Sequence, residues 1–415
     1  MQNKTLITSA LLALGLISQA SADVVYLTGS TAFRGTVATA LATPGLVFDG
    51  TPTIATRGNA TYTKAPYVLF HGTVGGVDTY VDCAWSGSEA GIASASDLTI
   101  DNSPYGTLAG SPEVWLKADG TVTGLSASAP TTAELENNGV ASHGADLAQA
   151  DTSQAVSLTP RVPNTQTDLY DYGVEGIVTF TFAKNINSTP SSSWTDLVNV
   201  NTGLMDLLTT GPQLASQFTG NVADTQHVYL VGRNKGSGTR ANFMSDIGLA
   251  TTTGINQFSI GGGVSTPTTG TLSLAYEGNN GYEGGGNVAA AMKIDGSCQQ
   301  TDPNYGGTGW LAIAYLGVSD AAGLPFLTEN GVMMSDGAIE EGQYSFWGHE
   351  HLYGKYGIHA TSNTADTVGT KLEAGVASSL ASANAGSNPA AQDPGIATSY
   401  MHVDKLTDTV YPTHL

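Results

Sequence analysis

Val231-Gly232-Arg233-Asn234-Lys235-Gly236-Ser237-Gly238-Thr239-Arg240 joins a strand-like run, His227 to Gly232, to a segment of helical spacing, Arg240 to Leu249. A strand that runs through small residues into a helix leaves the first-turn N–H groups of that helix without intrahelical acceptors. It also presents the positive end of the helix dipole. Ser237 and Thr239 add hydroxyl donors, and glycine lets the backbone come close to a ligand. Arg233 adds a planar fork that matches an oxyanion in bidentate fashion. The competing reading is an ordinary strand-to-helix turn capped by Ser or Thr.

The same grammar recurs along the chain. Val24 to Thr28 leads through Gly29-Ser30-Thr31-Ala32 into Phe33 to Leu41, and Tyr80 to Trp85 leads through Ser86-Gly87-Ser88-Glu89 into Ala90 to Ala95. Leu272 to Tyr276 leads through a Gly-rich loop ending at Gly286 into Asn287 to Lys293. Repeated strand–turn–helix units predict an α/β architecture. Ser86 and Glu89 have capping-box spacing. Residues 101–141 and 250–270, rich in Ser, Thr, Gly and Asn, are expected to be surface loops or small hairpins, and a helix is expected over about 367–384.

The first segment has the pattern of an export signal: Lys4, an apolar run from Leu6 to Ile17, and Ala20-Ser21-Ala22 before Asp23. The run is too short to span a bilayer, and with no Cys after it a lipid anchor there is not expected. The expected location is a periplasm or the exterior. The remaining length exceeds what one core organises, so two domains are expected. Fourteen basic against 35 acidic residues give a net charge of −21, which argues against nucleic acid or an anionic membrane as partner. It does not exclude a small anion, which a buried site binds through local dipoles. Cys83 and Cys298 are the two cysteines, and a disulfide between them and separate thiols both fit an exported chain.

These segments, in this order, resemble the periplasmic phosphate-binding proteins of ABC importers, which have the two-lobed type II periplasmic binding protein fold. Arg233 through Thr239 resembles that family's Arg-x-x-Gly-Ser-Gly-Thr loop, which implies phosphate contacts from Arg233, Ser237, Gly238 and Thr239. Leu27 to Phe33 is similar to the first phosphate loop, one residue shorter, with Ser30, Thr31 or Ala32 as the contact. Ser86-Gly87-Ser88 is similar to the second loop, with Ser86 or Ser88 as the binding serine. Gly144 to Asp151 resembles the stretch whose Asp accepts the proton of the bound phosphate, and Asp151 takes that place. A carboxylate accepts from protonated phosphate but leaves a fully deprotonated oxyanion facing an unpaired acceptor. Gly173 to Phe182 is similar to the strand entering the second lobe, Ala312 to Ser319 to a late strand, and Gly342 to Tyr353 to the segment returning to the first lobe. The resemblance implies lobe one over 23–171 and 341–415, lobe two over 172–340, two chain crossings, inorganic phosphate or a related oxyanion as ligand, ABC transporter membrane subunits as partner, and a monomer. No cofactor, catalytic residue or metal ligand is expected.

Rival readings have weaker signals. No G-x-S-x-G elbow occurs, and no His neighbours the serine loops in sequence. His349-Glu350-His351 lacks metalloprotease spacing and is expected to be an interlobe segment. Glu277-Gly278-Asn279-Asn280-Gly281, with Glu283, matches no EF-hand pattern and is expected to be a connection. The remaining alternative is an acidic exported surface or matrix protein that retains the binding fold without a transport role.

Overall fold

A computed structural model describes residues 22–100, 114–140, 143–186, 192–260, 274–294, 311–360, 363–384, 395–405 and 412–414. The export-signal segment and Cys298 lie outside these residues, while Cys83 is buried. In chain order the first part comprises β1 (Asp23–Gly29), α1 (Arg34–Ala42), β2 (Thr53–Arg57), β3 (Tyr67–Val74), β4 (Val77–Ala84), α2 (Ser88–Ala95), β5 (Leu147–Ala150) and β6 (Tyr170–Lys184). The second comprises α3 (Ser192–Asp196), β7 (Asn199–Val200), α4 (Thr202–Thr209), β8 (Gln213–Leu214), α5 (Ser216–Thr219), β9 (His227–Val231), α6 (Gly238–Asp246), β10 (Gln257–Ile260), β11 (Leu274–Gly278), α7 (Gly285–Met292), β12 (Leu311–Gly317), β13 (Phe326–Glu329) and α8 (Asp336–Glu340). The chain then returns through β14 (Trp347–Gly354) to α9 (Thr364–Asn384).

The result is a two-lobed mixed α/β fold, the class expected from the repeated units. In the first lobe β1 is parallel to both β4 and β5, and β14 runs antiparallel between β5 and β6. In the second, β9 is parallel to β12, which pairs antiparallel with β6. The long β6 belongs to both lobes: Tyr170 to Thr179 pairs with β14, whereas Phe180 to Lys184 pairs with β12. One uninterrupted strand thus makes the outward crossing, and the chain makes the second crossing on its way into β14.

Packing follows the side-chain periods. Val368, Leu372, Val376 and Leu380 recur every four residues along α9 and are fully buried, as are Val37 and Leu41 of α1. Each such side chain contributes about 1.5–3 kcal/mol of transfer free energy. Among the described residues, no helix is long and apolar enough to cross a membrane.

Both stretches expected as surface loops or small hairpins prove partly buried, and the second contributes a strand to a hairpin. Within 101–141, Leu116 and Val122 are buried with Ala55 and Leu69 of β2 and β3, Leu116 bridges to Leu135, and Trp115 is buried with Ala84 and Ala145, while Leu125 and Val140 stay exposed. Within 250–270, Gln257–Ile260 is a buried strand paired with β11, because Phe258 and Ile260 pack with Tyr229 and Tyr282. Residues 261–270 lie outside the described residues.

Candidate oxyanion site between the lobes

Because β1, β4 and β5 are parallel, their carboxyl ends share one edge of the first sheet, where loops from different strands can meet. Register places Thr28 beside Ala84 and Gly29 beside Gln149, so Ser30, Ser86 and Asp151 emerge together. The Ser30 N–H donates to Gln149 O (2.9 Å), and the Gly87 N–H donates to Gly29 O (2.8 Å). From the second lobe, β9 ends at the Arg233 loop, which opens α6.

The two edges are in direct contact. Gly236 O accepts from the N–H groups of Glu89 (3.1 Å) and Ala90 (3.3 Å), and Asn242 Nδ2 donates to Asp151 O (2.6 Å). Gly87 has φ +104°, and a Cβ there would stand 2.5 Å from Gly236 O, so both conformation and proximity require glycine. Ser88 Oγ donates to Asp151 Oδ1 (2.5 Å). Across the interface the same carboxylate lies against Gly238, close enough that any Cβ would overlap it. Ser237 caps α6 by accepting the Arg240 N–H at 3.3 Å, and as acceptor it keeps its own O–H to donate. The N–H groups of Gly238 and Thr239 lie in the first turn of α6, without intrahelical acceptors, and Gly238 lies beside the Asp151 carboxylate.

Arg233 is buried with its guanidinium between the lobes. Its Nη2 donates to Thr31 Oγ1 (3.4 Å) and Glu283 O (3.0 Å), while its Nε meets no partner among the described residues. Burial pulls the guanidinium below its ordinary pKa, opposed by the fields of Asp320 and Asp151. The Arg233 backbone is fixed by its N–H on Tyr315 Oη (3.1 Å) and by Gln257 Nε2 on its carbonyl (3.0 Å). Burial raises the Tyr315 pKa to about 12, so the phenol stays protonated and donates to Gln257 Oε1.

The structure therefore brings together Ser88, Asp151, Ser237, Gly238 and Thr239, with Arg233 and Thr31 adjoining. Ser86 Oγ is paired with Thr28 Oγ1 at 2.9 Å, while Ser30 Oγ accepts the Phe33 N–H at 3.3 Å and lies beside Glu350; Ala32 faces the neighbouring cavity. The Ser86–Glu89 capping box does not form: Gly87 is the N-cap, and Glu89 turns inward to accept from Leu158 N (2.7 Å) and Thr152 Oγ1 (3.1 Å). His349 and His351 lie on β14 and face Asp404 (3.1 Å) and Asp171 (3.4 Å). The Glu277–Glu283 loop is a connection, with Tyr282 bridging to Arg233. Among the described residues, no three His, Cys, Asp or Glu side chains are arranged to hold a metal.

Sequence reasoning missed Arg34 and Asp320, and took Glu350 only as part of an interlobe segment. Arg34 follows Thr31 by three residues and could have been found by asking where 14 basic residues fall in so acidic a chain. Glu350 is fully buried, and burial, then the charges of Asp151 and Glu175, hold its pKa well above the carboxylate range.

No protein-family model and no curated protein matches the sequence. Among solved structures the chain is similar to a phosphate ABC transporter substrate-binding protein with bound phosphate from Clostridium perfringens, at 14% identity over 87% of this chain and 97% of that one, TM-score 0.42. It is similar to an ABC-type phosphate transport receptor from Vibrio cholerae, at 12% identity over 87% and 98%, TM-score 0.39. A phosphate-binding protein from Stenotrophomonas maltophilia aligns at 10% identity over 87% and 83%, TM-score 0.35.

Proposed function

We propose that this chain is an exported solute-binding protein that closes around inorganic phosphate in the cleft between its lobes and delivers it to the membrane subunits of an ABC transporter. The lobes would be 23–171 with 341–415, and 172–340, with β6 carrying its first-lobe pairing on to Thr179 across that boundary. The observation that carries the reading is the meeting of Asp151 and Ser88 from one lobe with the Gly238–Thr239 helix start of the other. In this proposal the first-turn N–H groups of α6, the hydroxyls of Ser88, Ser237 and Thr239, and Arg233 donate to phosphate, and Asp151 accepts its proton. Each charge-assisted bond contributes about 1.5–3 kcal/mol against desolvation. Specificity then follows from many donors and one acceptor rather than from net charge, so affinity depends weakly on salt.

Calorimetric titration of protein unfolded and refolded to strip bound anion tests the reading. Phosphate should bind and sulfate should not. Absence of binding to both anions by folded protein overturns it.

A further inference from the structure

Beside the oxyanion loops lies a cavity of about 810 Å³, bounded by α1 and residues 59–64 on one side and by the start of α7 with Asp320 on the other. Arg34, Lys64 and Lys293 line it, and Asp320 is the one carboxylate among its described lining residues. Arg34 Nε is buried and meets no partner among the described residues. The Asp320 carboxylate lies against Gly285 at the start of α7, where a Cβ would overlap it, and its field acts on both Arg34 and Arg233. Thr31, on the cavity wall, accepts from Arg233, so Arg233 adjoins both the oxyanion loops and this space.

Arg34, Lys293 and Arg233 act on this one carboxylate, and Lys64 lines the same cavity, in a protein that carries 14 basic residues and a net charge of −21. Such a local reversal of sign marks a place that attracts an anion. The volume is that of a site for a whole small molecule, beyond the needs of a single tetrahedral ion. None of the described lining residues is aromatic, so a nucleobase or aryl group would find no stacking platform.

We propose that the cavity receives a second anionic group of the ligand, so that the chain captures condensed phosphates, with diphosphate the simplest. This rests on the phosphate reading: one phosphoryl group occupies the oxyanion loops, and the next reaches Arg34, Lys64 and Lys293. The guanidinium of Arg34 offers the buried donor, and the two lysines close the mouth as point charges.

The test is calorimetric titration of the stripped protein with phosphate, diphosphate and glycerol 3-phosphate, in wild type, Arg34→Gln and the surface double variant Lys64→Gln/Lys293→Gln. Diphosphate should bind about tenfold or more tighter than phosphate, and glycerol 3-phosphate should not share that gain. Both variants should lose the gain while the double variant keeps wild-type phosphate affinity. Phosphate binding with no gain for diphosphate overturns the second site and leaves the phosphate reading intact. Glycerol 3-phosphate binding as tightly as diphosphate, or a gain that survives the double variant, overturns it too. Failure of folded wild type to bind phosphate or diphosphate overturns both readings.

Discussion

Ser88 Oγ donates to Asp151 Oδ1 at 2.5 Å and accepts the Asp151 N–H at 3.3 Å, so one hydroxyl fixes both the carboxylate and the backbone of the residue that meets the opposite lobe. Ser88→Ala removes the donor from a buried carboxylate and the acceptor from a buried N–H. The expected cost is about 1–3 kcal/mol in urea unfolding, together with weaker phosphate binding.

Gly238 tests the contact from the other side. Gly238→Ala places a methyl group where the Asp151 carboxylate lies, and overpacking of this kind costs about 1–3 kcal/mol. The variant should lose phosphate binding. Adding Asp151→Ala should recover part of the stability without recovering binding, because the clash with the carboxylate goes, the close approach to Ser88 Cβ stays, and the acceptor is lost. Urea unfolding and calorimetry on the two variants separate these effects.

Asp151→Asn exchanges an obligate acceptor for a side chain with donors of nearly the same shape. Phosphate affinity should fall by about 10- to 100-fold, the equivalent of one buried hydrogen bond lost with its partner left unpaired. Sulfate should now bind. Competition titration with both anions reads the change directly.

The fold was legible where local chemistry and tertiary structure agree. The units beginning at Val24, Tyr80 and His227 became β1–α1, β4–α2 and β9–α6, since each couples a β-branched run to a small-residue turn and an apolar helical face. The helix expected at 367–384 begins at Thr364. Periodicity could not reveal that Trp115 and Leu116 anchor a segment of otherwise polar composition, or that Gln257–Ile260 finds a strand partner in Leu274–Gly278. Those outcomes depend on which distant surface is left uncovered. In the same way, the serines and Asp151 were visible as loop residues at strand ends, but Arg34 and Asp320 gain meaning only when α1 and α7 are brought face to face.

Glu350 gives a pH prediction. Its folded-state pKa is raised by burial first and then by Asp151 and Glu175, so the folded state holds the proton more tightly than the unfolded chain. Its contribution to stability is therefore complete below the ordinary value of 4.5 and is lost as pH rises toward the folded-state value. Glu350→Gln, which keeps the neutral shape, should match wild type near that lower limit. Above it the variant should gain on wild type by up to about 1.4 kcal/mol per pH unit. Urea unfolding of both proteins at several pH values measures the difference, and parallel curves would show that Glu350 ionises freely in the folded state.

The central claim is that a tetrahedral oxyanion binds where Asp151 meets the start of α6. Diffraction from crystals grown with arsenate, which has the shape and protonation of phosphate, locates the anion by the anomalous signal of arsenic. The account predicts a peak within hydrogen-bond distance of Asp151, Gly238 and Thr239, with Arg233 alongside. A well-ordered closed protein with no arsenic at that place, or with arsenic bound only elsewhere, would contradict it.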